Sequence, residues 1–281
     1  MATLSDIIFY PVKSCAGISV SEALLTEAGL AAGGVCDREW MVVNEQGEFL
    51  TQREYPRMAL ITPRLDGGML ELSAPGVPPH AIAIAADGCE AAIPVRIWDD
   101  SVQAQDCGDA SAAWCSQAIG APCRLVRFPD SARRLTSTRW TGGVAAPTRF
   151  ADGYPILVIG AASLADLNAR LAAAGRPALP MNRFRPNLVI DGIDAFEEDY
   201  VERFDIGAVR LKPVKPCPRC PIPSVDQATG VPGPDPLDIL QAYRRKPQLD
   251  DAVCFGMNCI VTAGAGERVF VGQELDAMLA F

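Results

Sequence analysis

The chain has 281 residues, of which 49% are hydrophobic and 21% charged, and its formal net charge is −9. Such a length allows one large domain or two ordinary ones, and such a composition suits a packed globular core. The acidic balance excludes broad nucleic-acid binding, which needs a basic surface, but leaves room for a local basic pocket around one small anion.

No apolar run approaches the roughly 20 residues that span a bilayer, and Met1-Ala2-Thr3-Leu4-Ser5-Asp6 lacks the charged and apolar regions of an export signal. The expectation is a cytoplasmic protein with no membrane segment. Ten cysteines are scattered (Cys15, Cys36, Cys89, Cys107, Cys115, Cys123, Cys217, Cys220, Cys254 and Cys259), without the regular spacing of a disulfide scaffold, so reduced thiols are expected. The one histidine, His80, follows Pro78-Pro79 and reads as a solvated loop residue. A single histidine excludes zinc sites built on two of them and counts against a Ser/His/Asp triad.

Asp6–Val12 reads as a first strand, rich in β-branched and aromatic residues, running into the small-residue turn Lys13-Ser14-Cys15-Ala16-Gly17. That turn can present a cation and a hydroxyl to an anion. A second strand and turn occupy residues 18–30. Cys36–Asn44 reads as a strand ending in the turn Glu45–Glu48, with Phe49-Leu50-Thr51 starting a returning arm. From 58 to 104, short apolar runs alternate with Gly, Pro and Asp clusters: Met58–Ile61, Met69–Leu72, Ala81–Ile84 and Val95–Trp98 are strand candidates. That spacing suggests a barrel or sandwich. Asp109–Ile119 is a helix capped by Asp109 and stopped by Gly120, and Cys123–Phe128 returns to strand.

Residues 129–150 are polar and arginine-rich, a long loop that links domains or lies over a pocket. Ile156–Ile159 is a short buried strand, followed by a helix through Leu171 with Ser163 as its cap. Asn182–Asn187 forms a dense polar cluster just before the apolar Leu188-Val189-Ile190. An arginine there is either aimed into a cleft, where its fork suits phosphate oxygens, or part of an exposed turn. A strand starts at Asp205-Ile206-Gly207, a short helix covers Pro236 to Arg245, and Phe255–Val261 and Val269–Gly272 complete a second β-rich half.

The most chemical stretch is Lys215-Pro216-Cys217-Pro218-Arg219-Cys220-Pro221, directly after the strand-like Val209–Val214. Its prolines fix φ and remove donors, so it is expected as a stiff turn outside any central sheet strand. Thiolates are strong nucleophiles and strong ligands for soft metals; the alternative is a pair of small buried residues. A thioredoxin-like dithiol would need to open a helix, which this proline-blocked turn does not allow, and a structural zinc would need a second ligand pair.

The motif order Tyr10-Pro11-Val12-Lys13-Ser14-Cys15, Arg38, Arg185-Pro186-Asn187, Ile206-Gly207, Lys215–Cys220, Val225-Asp226…Thr229-Gly230 and Phe255-Gly256…Asn258 resembles the MOSC proteins with an N-terminal β-barrel domain. The similar branch holds the mitochondrial amidoxime-reducing component and the bacterial YcbX-type proteins. The resemblance implies a mostly β fold with some α (α+β): an N-terminal β-barrel-like domain over 1–128, a connecting loop over 129–150, and a β-barrel MOSC domain with peripheral helices over 151–281.

It further implies a molybdenum cofactor (molybdenum–molybdopterin) held in a cleft between the domains, with Cys220 as the metal ligand. Lys13, Ser14 and Arg38 fall where the family binds the pterin's phosphate end. Arg185, Asn187, Pro218 and Arg219 match pterin contacts, and Asn258 a further cofactor contact. Gly153 and Tyr154 stand where some relatives have Thr-Ser, which removes those hydroxyls and leaves Gly153 its backbone. Asp152 matches an acidic residue near the open side of the metal, with a proton-handling role assigned to it here. Cys217 is read as structural.

The implied reaction is reduction of a small N-hydroxylated compound to the amine or amidine plus water. Cys254 and Cys259 do not make a four-cysteine cluster pattern, so no iron–sulfur cluster is expected in this chain. Electrons would come from a separate donor protein of ferredoxin or flavin-reductase type. No anchor like that of the mitochondrial members is expected. Two other readings keep the fold: a sulfur carrier with a persulfide on Cys220 or Cys217, and a non-catalytic carrier of the cofactor.

Overall fold

A computed structural model describes residues 1–85 and 92–280, and Cys89 lies outside them. Strands dominate. Seven of them close into a barrel in the order Ile156–Gly160, Leu188–Asp191, Ala2–Phe9, Glu274–Leu279, Val201–Ile206, Val209–Pro218 and Ala252–Ala263, which pairs back onto Ile156–Gly160. Leu188–Asp191 runs parallel to Ile156–Gly160 because the helix Ala161–Ala173 provides the crossover between them. That helix packs Leu167 and Leu171 into a satellite core with Ile159, Phe184, Leu240 and Phe255.

Smaller sheets build the rest: Ala92–Ile97, Asp100–Asp106, Arg124–Arg127 and Trp40–Val43 in one; Thr62–Asp66, Met69–Ala74 and Val77–Ala83 in another. The two halves exchange strands. Ala2–Phe9, first in the chain, belongs to the late barrel, and Arg268–Phe270, near the end, pairs with the early strand Glu22–Thr26. They also share one core, in which Trp40 and Leu125 join Leu4, Phe9, Ile156, Leu188 and Met257. Burial of this shared apolar surface, at about 25 cal/mol per Å2, fixes how one half faces the other.

Several local expectations are corrected. Met58–Ile61 is not a strand: Pro56–Leu60 form a 3-10 turn opened by Pro56, whose preset φ suits a helical start. Asp109 does not cap its helix, Gly108–Ile119; the Asp106 carboxylate accepts the Gly108 amide instead, while Gly120 (φ 85°) ends the helix as expected. Ser163 is not a cap either, because Gly160 precedes its helix and the Ser163 hydroxyl bonds buried Glu198 at 2.7 Å. His80 lies on the strand Val77–Ala83, with Nε2 at 2.9 Å from Ser111 Oγ and its ring stacked on Trp114. Phe49 makes only an isolated bridge to Val43, and the late helix shrinks to the turn Leu237–Leu240.

The cysteine segment is the main correction. Lys215, Pro216, Cys217 and Pro218 are strand residues, the end of Val209–Pro218, paired along Ala252–Ala263. The register shifts between Pro213 and Lys215 and again between Pro216 and Pro218. Beyond Leu211 the strand has a ladder partner on one side only. Bulges and a free edge are the places where a sheet tolerates residues without an N–H. Arg219, Cys220 and Pro221 lie past the strand, as its exit.

Candidate active site

One cleft collects every residue singled out from the sequence: Lys13, Ser14, Arg38, Asp152, Gly153, Tyr154, Arg185, Asn187, Pro218, Arg219, Cys220 and Asn258 all line it. Three of them sit in left-handed backbone that side chains rarely adopt, Ser14 at φ 62°, Arg38 at φ 50° and Arg185 at φ 57°. Trp98, φ 55°, hydrogen-bonds another. Such strain costs on the order of 1–3 kcal/mol per residue and persists where surrounding structure enforces it for a function.

Lys13 follows the first barrel strand and is held by its amide bonded to Trp40 O at 2.8 Å. Its ammonium is buried, donating to Phe150 O at 2.9 Å and to Asp152 Oδ1 at 2.5 Å. Burial pushes the Lys13 pKa down, against the pull of Asp152. Crowding around Asp152 opposes ionisation, but attraction and hydrogen bonding from Lys13, with help from Arg38 and Trp98, hold its carboxyl well below the usual range. Its side chain is 71% exposed, so water screens the pair and limits its worth in stability. In this arrangement Asp152 is ionised at neutral pH, where it accepts hydrogen bonds and neither donates a proton nor readily takes one up.

Arg38 stacks 4.2 Å from the Tyr10 ring centroid, is paired with buried Asp37, and donates to Asn187 Oδ1 at 3.2 Å. Burial raises the Asp37 pKa despite Arg38. Asn187 is largely consumed in joinery. Its Oδ1 also accepts Leu157 N at 3.1 Å, and its Nδ2 donates to Ile8 O at 3.2 Å, which leaves one amide proton for a ligand.

Arg185 is different: 9% exposed, stacked 4.3 Å from the same Tyr10 ring centroid, and without a hydrogen bond or ion pair among the described residues. Burial pushes its pKa down. A buried guanidinium is costly to leave uncompensated, and this one opens on a cleft able to take an anion.

At the opposite wall, Arg219 Nη2 donates to Phe184 O at 2.7 Å and Nη1 lies 3.2 Å from Cys217 Sγ, while its buried Nε has no partner. Cys220 is half-exposed at the strand exit. Asn258 Nδ2 donates to Lys215 O across the ladder at 3.2 Å. Gly153 has open space where a Cβ would stand, and Tyr154 is buried beside Ala146 and Ile260. Among the described residues, no three His, Cys, Asp or Glu side chains gather to hold a metal ion. A metal at Cys220 must therefore bring other ligands of its own, which a dithiolene pterin does, and the cations and strained backbone across the cleft fit the anionic end of such a group.

The sequence reading missed two contributors, Phe184 and Trp98, and read Cys217 as structural. Cys217 lines the cleft as well as Cys220, and Phe184 forms part of the wall. Trp98 reaches in from the turn after Ala92–Ile97, and its Nε1 donates to Asp152 Oδ1 at 3.2 Å. The alternation of Val95–Trp98 announces a strand and hides a turn residue with a distant partner.

The MOSC N-terminal beta barrel domain family matches residues 1–122, and the MOSC domain family matches residues 146–276. Mitochondrial amidoxime reducing component 2 of Rattus norvegicus is 37% identical over 250 residues, covering 87% of this chain and 73% of that protein. Mitochondrial amidoxime-reducing component 1 of Homo sapiens is also 37% identical over 250 residues, with the same coverage. The component 1 of Mus musculus is 36% identical over 251 residues, covering 87% of this chain and 72% of that protein.

Proposed function

The chain belongs to the MOSC family with an N-terminal MOSC β-barrel domain, and from that premise we propose that it reduces N-hydroxylated compounds with a molybdenum cofactor held in the cleft. The relatives named for amidoxime reduction support the reaction class. The nine described cysteines are free, which suits the reduced, cytoplasmic setting we assign it. The observation that carries the reading is one cavity holding both an accessible thiol, Cys220, and a buried arginine, Arg185, that makes no ion pair among the described residues.

In this reading Cys220 supplies the thiolate ligand, Lys13, Ser14 and Arg38 hold the phosphate end, and Arg185 and Asn187 hold the pterin. Arg219 and Pro218, with Asn258 and the Gly153-Tyr154 backbone, fix the orientation of the pterin. The bound cofactor supplies two-electron chemistry that no side chain can. The substrate takes up two electrons and two protons, its N–O bond breaks, and an N–H product and water leave. Asp152, ionised and at the mouth, orients the N-hydroxyl group and accepts its hydrogen bond, while protons arrive from solvent through its exposed side. Electrons come from a separate donor protein of ferredoxin or flavin-reductase type.

The test is elemental analysis and turnover of protein made with molybdenum supplied. Wild type should hold molybdenum and reduce a hydroxylamine; Cys220→Ala should abolish N-reduction, and Cys217→Ala should retain substantial activity. Equal loss in both variants overturns the ligand assignment. A second reading, persulfide transfer, draws on the two thiols lining the same cleft with Arg219 beside Cys217. A metal-free wild type carrying a persulfide selects it.

A further inference from the structure

Two stretches without carboxylates face each other beside the cleft. Residues 131–151 hold four arginines and no Asp or Glu; residues 206–225 hold two arginines, two lysines and no Asp or Glu. Of these eight cations, Arg134, Arg149 and Arg210 are paired with Asp100, Asp130 and Asp205 from elsewhere in the chain, and the local positive charge comes from the others. The first stretch folds as a hairpin, Arg134–Leu135 against Pro147–Thr148, with the helical turn Thr138–Thr141 between them. The second includes the strand that leads to Cys220.

They meet at Trp140. Lys215 Nζ and the Arg139 guanidinium each lie 5.6 Å from its ring centroid, and Trp140 and Val214 pack against the cluster of Ala146, Tyr154 and Ile260. Lys212 Nζ approaches the hairpin at Gly142. Arg139, Lys212 and Lys215 form no ion pair among the described residues, whereas most of the chain's cations do. Leu135 and Val144 on the same hairpin are 51% and 43% exposed. The face is continuous with the cleft, because Tyr154 and Asn258 line it and Asn258 bonds the Lys215 carbonyl.

We propose that this face docks an acidic electron-donor protein, which brings its redox centre to the mouth of the cleft. The inference rests on the reading of the cleft as a reductase supplied with electrons from outside. Unpaired cations around a few exposed apolar side chains suit a small, transient interface, in which charge steers encounter and sets orientation. A second copy of this chain is disfavoured as the occupant, since a two-fold contact would set this positive face against itself.

The experiment uses the molybdenum-loaded protein and two charge-reversed forms, Lys212→Glu with Lys215→Glu, and Arg139→Glu, with Lys212→Gln/Lys215→Gln as a milder pair. Binding to an acidic [2Fe–2S] ferredoxin and to a flavodoxin is measured against ionic strength, and turnover is driven either by the enzymatically reduced donor or by reduced methyl viologen. The expected result is binding by wild type that weakens with salt, and on charge reversal a loss of affinity and a rise in donor KM of roughly tenfold or more. The Gln pair should fall between, and viologen-driven turnover should stay at the wild-type level.

Unchanged affinity and donor KM in the variants overturn the proposal, as does failure of wild type to bind either donor. Charge-sensitive binding to phosphatidylglycerol vesicles in place of either protein assigns the face to an anionic membrane and overturns it too. If the loaded protein turns over with neither electron source, the reductase reading fails, while the binding series still decides the face.

Discussion

Arg244 and Arg185 are buried to nearly the same degree, 5% and 9% exposed, and meet opposite surroundings. Arg244 makes a bidentate pair with Asp199 at 3.0 and 2.8 Å, and Lys246 adds a third charge at 2.6 Å from the same carboxylate. Its Nε also donates to Cys254 O, so the group ties Ala252–Ala263 to the turn before Val201. Arg185 stacks on an aromatic ring, makes no ion pair among the described residues, and shares its cleft with the cations Lys13, Arg38 and Arg219, while the cleft's Asp152 is tied to Lys13. The first arrangement is architecture. The second is half of an interaction, and its missing half must be an anion that the fold does not supply.

The strongest way to break this comparison is to strip each arginine's surroundings in turn. Asp199→Asn keeps the volume and removes the charge, leaving Arg244 buried and uncompensated; the expected cost is about 3–5 kcal/mol of stability, read as a melting-temperature fall of roughly 10 °C. Arg185→Met should do the reverse. Removing a cation without a partner leaves the melting temperature unchanged or raised, while molybdenum retained after gel filtration drops sharply. Arg185→Lys keeps the charge but not the planar fork, and should restore retention only in part. A large melting-temperature loss in Arg185→Met would place it with Arg244 as structural.

Lys13 and Asp152 sharpen the contrast as a mixed case, one partner buried and the other 71% exposed. Asp152→Asn should lower the melting temperature at pH 7 modestly, mainly because Lys13 loses its counter-charge. The Asp152 carboxyl is depressed in the folded state. Its stabilisation is therefore present above the ordinary carboxylate value of about 4 and disappears as pH falls through the lower folded value. The melting-temperature gap between wild type and Asp152→Asn should accordingly be constant near neutrality and close in acid. A gap that closes between pH 6 and 8 would mean Asp152 titrates there and can serve as a proton donor.

These sites were legible to different degrees, for physical reasons. Ile156–Ile159 and Phe255–Val261 are runs of apolar residues between breakers, and both are barrel strands. The cysteine strand was not, because three prolines argue against a ladder unless bulges are known, and bulges depend on the partner strand. Ser163 looked like a cap because its true partner, Glu198, is 35 residues away. The exchange of Ala2–Phe9 and Arg268–Phe270 between halves has no local signature at all. The cleft residues came from motif order, and no periodicity links Lys13 to Arg185. Their convergence is tertiary, carried by a first strand that pairs directly with Leu188–Asp191.

Trp98 gives the smallest effect and the finest test of whether strain at the cleft is functional. Its φ of 55° suits glycine, so Trp98→Gly relieves about 1–2 kcal/mol of backbone cost. It also forfeits the ring contact with Phe49, 5.0 Å between centroids, the Arg53 stack at 4.9 Å and the bond to Asp152. The side chain is 42% exposed, so those losses are of similar size and the melting temperature should hardly move. Trp98→Phe keeps the ring and the strain but removes the Nε1 donor, so it isolates the tie to Asp152. If the tie orients the carboxylate for substrate, KM for a planar N-hydroxylated compound rises in both variants while kcat holds. Unchanged KM in both would reduce Trp98 to a surface residue held in strain with no part in binding.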